Sequence, residues 1–295
     1  MSSSEDPIKL RMARPDSPEE IARRFRKEQE AVHQIRETNL NQAMGSFHIG
    51  SVPYLNSAPL IKGIEEDVLL MPPSQLAEKL GKGELDAALL SVTEVLLSDQ
   101  YDVLDEVAVA SLGEVKSVFL AHRKPLEQIE KIYCDPASLT SVNLLKVLFK
   151  LKGLSPEYLT LESYDSARDH ENVLLIGNPA IEFLRSDPSH EIWDLGEAWY
   201  NLTKLPFVFA VWALKRNVDN QILRKNLREA KSFGMETLDS IIRKRTEFDY
   251  EFRKDYLDWH IHYHMGSDEK RGIAKFMQLL EQTLSLKVYA PHFVS

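Results

Sequence analysis

From Phe47 onward, short apolar runs alternate with amphipathic segments. HIGSVPYL, DVLLMP and DAALLSV each read as a strand, with a short helix over APLIKGI and a longer one over PSQLAEKLGKGEL between them. VAVAS, KSVFLAH and KIYCD follow as strands. SLTSVNLLKVLFKLKG then reads as a helix with Val142, Leu145, Leu148 and Phe149 along one side. YLTLES, NVLLIG and PFVFAVWAL predict three more strands, and PAIEFLRS a short helix. Strands alternating with helices predict βαβ units and mainly parallel sheets covered by helices. From about Asn220 the pattern becomes nearly all helical and highly charged. Before Phe47, Ser17 can cap a helix that begins at Pro18, with Glu20 completing a capping box. Ile21, Phe25, Val32 and Ile35 fall on one face of that helix, which is either docked or partner-seeking. The first sixteen residues are polar and are expected to be loose.

The chain has 295 residues, enough for about two domains. No Gly/Ser/Pro-rich linker separates them, so the chain is expected to cross between lobes inside continuous strands. Candidate crossings lie near residues 122–130 and 205–207. The expected parts are an extension over 1–45, a discontinuous first α/β lobe over 46–125 and 208–295, and a second α/β lobe over 126–207. Ligands would then sit in the cleft between the lobes.

The 36 Lys and Arg against 45 Asp and Glu give a net charge of −9. No basic surplus exists to neutralise phosphates, which argues against nucleic acid. A small anion is still compatible, because one local site can oppose the net sign. The longest clean apolar run, FVFAVWAL, is too short to span a bilayer, and no signal-like apolar segment opens the chain. A soluble, cytoplasmic protein is expected. The lone Cys134 fits a reducing compartment, excludes intrachain disulfides, and beside Asp135 on a buried strand is expected to be inert.

Five segments can carry chemistry. In SVPYLNSAPLIKG, Tyr54 and Asn56 stand at a strand's carboxyl end and Ser57 at a helix start, where free N–H groups face an anion. The same pattern suits an ordinary capped turn. In DPASLTSVNLLK, Ser138, Thr140 and Ser141 crowd one helix N-terminus, either as redundant caps or as donors to a carboxylate. Ser117 precedes a strand expected to run toward the hinge. Gly177 and Asn178 end a buried strand and precede a helix. Trp193, Trp199 and Trp212 suit core packing better than ligand stacking. WHIHYH predicts a surface helix rather than a zinc site, since His260 and His264 lack the intervening Glu and a third ligand. Asp86 is expected to make a structural hydrogen bond. No dinucleotide fingerprint, phosphate loop or nucleophile elbow occurs.

Taken in order, VPYLNSAPL, PSQLAEKLGKGELDAALLSV, the KSVFL strand, DPASLTSVNLLKVL, LLIGNPA and DLGEAWYNLTKLPFVFAVW resemble the MqnA family of chorismate dehydratases in menaquinone biosynthesis. The resemblance runs from about Phe47 to Lys215. It implies an α/β, two-lobe type II periplasmic-binding-protein-like fold with a central cleft, here with a helical N-terminal extension. It also implies a cofactor-free lyase, without metal, that converts the dianion chorismate to 3-[(1-carboxyvinyl)oxy]benzoate and water on the futalosine route. Carried over onto this sequence, Asn56 and Ser117 are the catalytic candidates. Tyr54, Ser57, Ser91, Ser138, Thr140, Ser141 and Asn178 are the substrate-binding ones. Asn178 departs from the family's usual Asp. No obvious general base stands in these motifs, so a carboxylate of the substrate itself is the expected proton acceptor, with another cleft residue as the rival. The alternatives are a 1,4-dihydroxy-6-naphthoate synthase-like enzyme of the same pathway, and a non-catalytic small-anion-binding protein. Neither a nucleic acid nor a membrane partner is expected, and the sequence leaves the oligomeric state open.

Overall fold

The computed structural model describes residues 16–186, 189–216, 218 and 220–295. Helix α1 (Pro18–Met44) opens with the reciprocal cap: Ser17 Oγ accepts from the Glu20 N–H, and Glu20 returns a carboxylate to the Ser17 N–H at 2.7 Å. The first lobe begins with β1 (Ile49–Ser51), a 3-10 turn over Leu55–Ile61, β2 (Val68–Leu70), α2 (Pro73–Lys82), β3 (Ala87–Ser91), α3 (Val92–Leu96) and β4 (Tyr101–Ser111). The second lobe runs through β5 (Val118–His122), β6 (Lys131–Cys134), α4 (Leu139–Leu151), β7 (Glu157–Thr160), β8 (Asn172–Ile176), α5 (Gly177–Arg185), β9 (Glu191–Asp194) and α6 (Leu195–Thr203). The chain then returns through β10 (Phe207–Lys215), α7 (Gln221–Glu236), α8 (Leu238–Lys244) and α9 (Tyr250–Asp255). A π-helical turn (Tyr256–His260), α10 (Ser267–Leu284) and β11 (His292–Val294) complete it.

The first sheet has the order β11-β4-β10-β3-β1-β2, the second β7-β6-β8-β5-β9. Both sheets are mixed rather than mainly parallel. β10 runs antiparallel to β3 and β4, and β5 antiparallel to β8 and β9. These are the strands on which the chain enters one lobe from the other, so their direction follows from the crossing. β5 pairs only within the second sheet, Val118 opposite Ile176 and Phe119 opposite Asp194. The first crossing therefore falls at residues 112–117, earlier than the 122–130 expected, and 118–125 joins the second lobe.

Three other expectations change. His260, His262 and His264 do not share a helix, because the π-helical turn stops at His260 and His262 bridges Ala110 of β4 instead. The helical C-terminal region gives way after Leu284, and β11 adds to the edge of the first sheet beside β4. Ile21, Phe25, Val32 and Ile35 are all exposed, whereas Leu40 and Met44 are buried. α1 thus docks through its C-terminal half, where Arg36 pairs with Glu229 and Glu236 of α7, and Lys62 reaches Glu37. The polar start of the chain, residues 1–15, lies outside the described residues.

Trp199 and Trp212 are fully buried, as core packing requires, while Trp193 is half-buried. Asp86 accepts from the His48 N–H at 2.8 Å. No helix among the described residues is long and apolar enough to cross a membrane. α7 packs closely against the 3-10 turn at Gly234. A Cβ there would lie 1.8 Å from the Pro59 carbonyl oxygen, in the 3-10 turn that contains Asn56. Ala gains up to about 1 kcal/mol in a helix interior relative to Gly, but the clash is with backbone that cannot move aside. Gly234→Ala is therefore expected to destabilise the protein by about 2 kcal/mol or more, read by urea unfolding.

Candidate active site in the cleft

β1, β3, β5 and α4 all end or begin at the gap between the lobes. The resulting cleft encloses about 670 Å³, the open solvent at its mouth included. Tyr54, Asn56, Ser91, Ser117, Ser138 and Thr140 contribute its polar surface, together with Ser141. The remainder is apolar, with Val52, Leu89, Val109, Phe209 and Ile261 among the walls. Among the described residues, none that lines the cleft carries a charged side chain.

Seven of the nine sequence candidates thus meet in one cavity, and two do not. Ser57 is buried and turned inward, where its hydroxyl donates to the carbonyls of Val52 and Tyr54, both at 2.8 Å. It fixes the turn that presents Asn56. Asn178 does not line the cavity either. Its Oδ1 accepts from the Leu55 N–H at 3.0 Å, tying the start of α5 to the turn of the other lobe. An Asp would accept the same bond, so Asn at this position keeps the inter-lobe tie and removes one negative charge.

The α4 end is arranged for an anion. Its first-turn N–H groups have no intrahelical acceptors, and the helix dipole adds partial positive charge. Ser138 occupies the N-cap position without capping. Its Oγ is buried and has no hydrogen-bond partner among the described residues, which leaves it available to a ligand or to water. Thr140 Oγ1 accepts from the Thr93 N–H at 3.0 Å, a second inter-lobe tie, which leaves the Thr140 proton free to donate. On the same lobe as α4, Gly177 (φ +61°) opens α5 against the Tyr54 ring of the other lobe. A Cβ there would stand 3.0 Å from the ring carbons, so the tight turn and the packing both require glycine.

Ser117 is placed by the crossing segment. Its N–H donates to the Val115 carbonyl at 2.7 Å around Lys116, whose φ of +59° is costly for a residue with a side chain. The strain is held by Asp194, buried at the N-cap of α6. This carboxylate accepts from the N–H groups of Val115 at 3.1 Å and Lys116 at 2.8 Å, besides that of Glu197 at 3.0 Å. On the opposite side Lys116 pairs with Asp255, and His260 Nδ1 meets the Glu114 carbonyl oxygen at 2.9 Å. Ser117 is itself fully buried, and its carbonyl accepts from the Gly177 N–H at 2.8 Å.

Two residues behind the lining escaped the sequence reading. Asp194 had a usable signal, since Asp followed three residues later by Glu197 resembles a helix start. Tyr256 had none. It arrives from a distant helix, and its hydroxyl donates to Ser117 Oγ at 2.7 Å. Asp135 lies just behind Tyr54. Its Oδ1 accepts from Ala137 N–H and from the Tyr164 hydroxyl, and burial raises its pKa. Burial, with the nearby Asp135 carboxylate, pushes the Tyr54 phenol up to about 12, so it remains a neutral donor. Burial also pushes the Cys134 thiol up to about 12, which leaves it unreactive. Among the described residues no group of three or more His, Cys, Asp or Glu side chains could hold a metal ion.

Comparison with known proteins agrees with this organisation. The family model for menaquinone biosynthesis matches residues 47–282. The chain belongs to the menaquinone biosynthesis family. A chorismate dehydratase of Thermus thermophilus is 32% identical over 263 residues, covering 80% of this chain and 96% of the relative. A solved protein of Archaeoglobus fulgidus superposes with a TM-score of 0.64 at 18% identity, over 80% of this chain and 96% of that one. The periplasmic aliphatic sulphonate binding protein of Escherichia coli does so with a TM-score of 0.55 at 13% identity, over 84% and 93%. The fold is thus the two-lobe α/β fold of periplasmic binding proteins, and the family's match starts at the end of the α1 extension.

Asp194 sets a pH signature. Burial lifts its pKa from 3.8 to about 6 despite the N–H donors. The folded state then holds this proton more tightly than the unfolded chain does, so the group's contribution to stability falls as pH rises from about 4 to about 6. Two units correspond to about 3 kcal/mol. Asp194→Asn removes the titration. Urea unfolding at about pH 4 and about pH 7 is expected to show the variant gaining on the wild type by about 2 to 3 kcal/mol at the higher pH. A pH-independent gap would contradict the assignment.

Proposed function

We propose that this protein is a chorismate dehydratase, converting chorismate to 3-[(1-carboxyvinyl)oxy]benzoate and water within menaquinone biosynthesis by the futalosine route. The observation that carries the reading is a cleft of neutral donors, with the unpartnered Ser138 hydroxyl at a helix N-terminus, in a chain of this family. The named activity of the Thermus thermophilus relative supports it. The fit is chemical. Chorismate carries two carboxylates on a non-aromatic ring. Ser138, Thr140, Ser141 and the first N–H groups of α4 suit one carboxylate, and Asn56 with Ser117 suits the reacting face.

The reaction breaks the C–H bond beside the ether oxygen, whose proton is acidified by conjugation with the ring carboxylate. Those electrons form the new ring double bond, and the neighbouring C–O bond breaks. Proton and hydroxide leave together as water, and the ring becomes aromatic. Aromatisation supplies the driving force, so the protein must mainly hold the dianion in a reactive shape and donate hydrogen bonds to the leaving hydroxyl. Asn56 and Ser117 are assigned to that donation. Tyr54 and Ser91 shape the pocket, while Ser57 and Asn178 support it from behind.

A base is still needed. Among the described residues no Asp, Glu, His or Lys lines the cleft, which supports a carboxylate of the substrate as proton acceptor. No cofactor is assigned in this reading. Residence in the cytoplasm belongs to the same proposal, and the single free thiol is compatible with that compartment.

Chorismate incubated with the purified protein and followed by ultraviolet absorbance and mass is expected to lose one water. Saturable binding of unchanged chorismate would instead make the protein a sensor. Asn56→Ala is expected to lower turnover by about 100-fold or more with the fold intact. Asp135, a buried carboxylate two residues before the lining residue Ala137, provides the counter-test. Asp135→Asn is expected to cost less than about tenfold in kcat, and a loss of about a thousandfold at unchanged KM would replace substrate assistance by a protein base.

A further inference from the structure

Tyr256 is the first residue of the π-helical turn and is buried, 1% exposed. π-turns interrupt α-helices chiefly where function gains from the altered side-chain direction. This one follows α9 without a break and turns the phenol inward, with the Phe252 ring stacked on it at 5.6 Å between centroids. The phenol oxygen donates to Ser117 Oγ at 2.7 Å. One buried hydroxyl thus holds a polar group of the cleft lining, although it does not line the cleft itself.

The direction of that hydrogen bond matters. Ser117 has one proton to give, and its oxygen already accepts from Tyr256. With Tyr256 as the donor, the Ser117 proton is left to turn into the cavity that Ser117 lines, where an acceptor would stand. Burial raises the Tyr256 phenol well above its ordinary range, with the buried Asp194 carboxylate adding to the rise, so it remains a donor across the working pH range. A Phe at this position would preserve the ring and its stacking while freeing Ser117 to turn its proton away from the cleft.

We infer that Tyr256 is a positioning residue, which orders the Ser117 hydroxyl so that it presents its hydrogen bond to the bound dianion. The inference rests on the dehydratase reading for the reaction, but the hydrogen-bond relay stands on the geometry alone.

The test is Tyr256→Phe in the full chain, alone and combined with Ser117→Ala. In the dehydration assay the single variant is expected to lose about 10- to 100-fold in kcat, with KM changed by less than about threefold. In the Ser117→Ala background the same change is expected to cost less than about twofold, because its target is gone. A merely structural phenol would lower both backgrounds alike and would shift the unfolding midpoint in step. Equal losses in the two backgrounds, or an unaltered kcat in the single variant, overturn the inference. Calorimetric binding of isophthalate, a flat dicarboxylate that cannot react, separates this outcome from failure of the dehydratase reading. If the wild type does not dehydrate chorismate, that reading fails. The relay then stands only if Tyr256→Phe weakens isophthalate binding with Ser117 present and not in the Ser117→Ala background. An absence of such coupling overturns it.

Discussion

A buried carboxylate meeting a strained backbone is the contact on which the cleft depends. The chain leaves the first sheet at Ser111 and enters the second at Val118, and in six residues it must cross the gap and turn Ser117 toward it. Lys116 takes up a left-handed conformation to make that turn. Such a conformation persists only where the surroundings determine it. Asp194 supplies that determination from the second lobe, gathering the N–H groups of Val115 and Lys116 while it caps α6. The C-terminal elements supply it from the other side, through Asp255, His260 and Tyr256. The residue at the floor of the cleft is thereby held by three parts of the chain that are distant in sequence.

The same economy governs the rest of the cavity. The protein has a net charge of −9, and among the described residues its cleft lining has no cation, so the proposed dianion would meet neutral donors. Neutral donors suffice because they are fixed in advance. The α4 N-terminus presents its amides and a free hydroxyl, and the inter-lobe bonds Thr93 to Thr140 and Leu55 to Asn178 keep the two walls in register. Oriented dipoles in a site shielded from water stabilise charge without reorganising when it moves. The periplasmic-binding-protein fold is suited to this, since it already places strand ends and helix starts around one gap.

Much of this was legible in the chain itself. Alternating apolar runs and capped amphipathic segments identified most of the strands and helices of the two lobes, because burial on both faces leaves continuous apolar strands. The hydroxyl-rich start of α4 and the turn at Asn56 were legible because capping and anion binding use the same residue types. Three things were not. The crossing at 112–117 resembles any exposed turn, and only the pairing of β5 with β8 and β9 assigns it to the second lobe. WHIHYH has helical spacing, but pairing of His262 with Ala110 wins over helix propensity. Asn178 and Ser57 have the chemistry of site residues and spend it on backbone, which no local pattern reveals. Tyr256 reaches Ser117 across 139 positions, so tertiary packing alone brings it there.

The claim that joins these observations is that the crossing segment, held by Asp194, aims Ser117 at the substrate. The most direct measurement is the rate of chorismate dehydration by folded Asp194→Ala beside folded Ser117→Ala. The account predicts that both lose about 100-fold or more in kcat, since loosening the crossing removes the same donor that the Ser117 change deletes. An Asp194→Ala protein with wild-type turnover would contradict it.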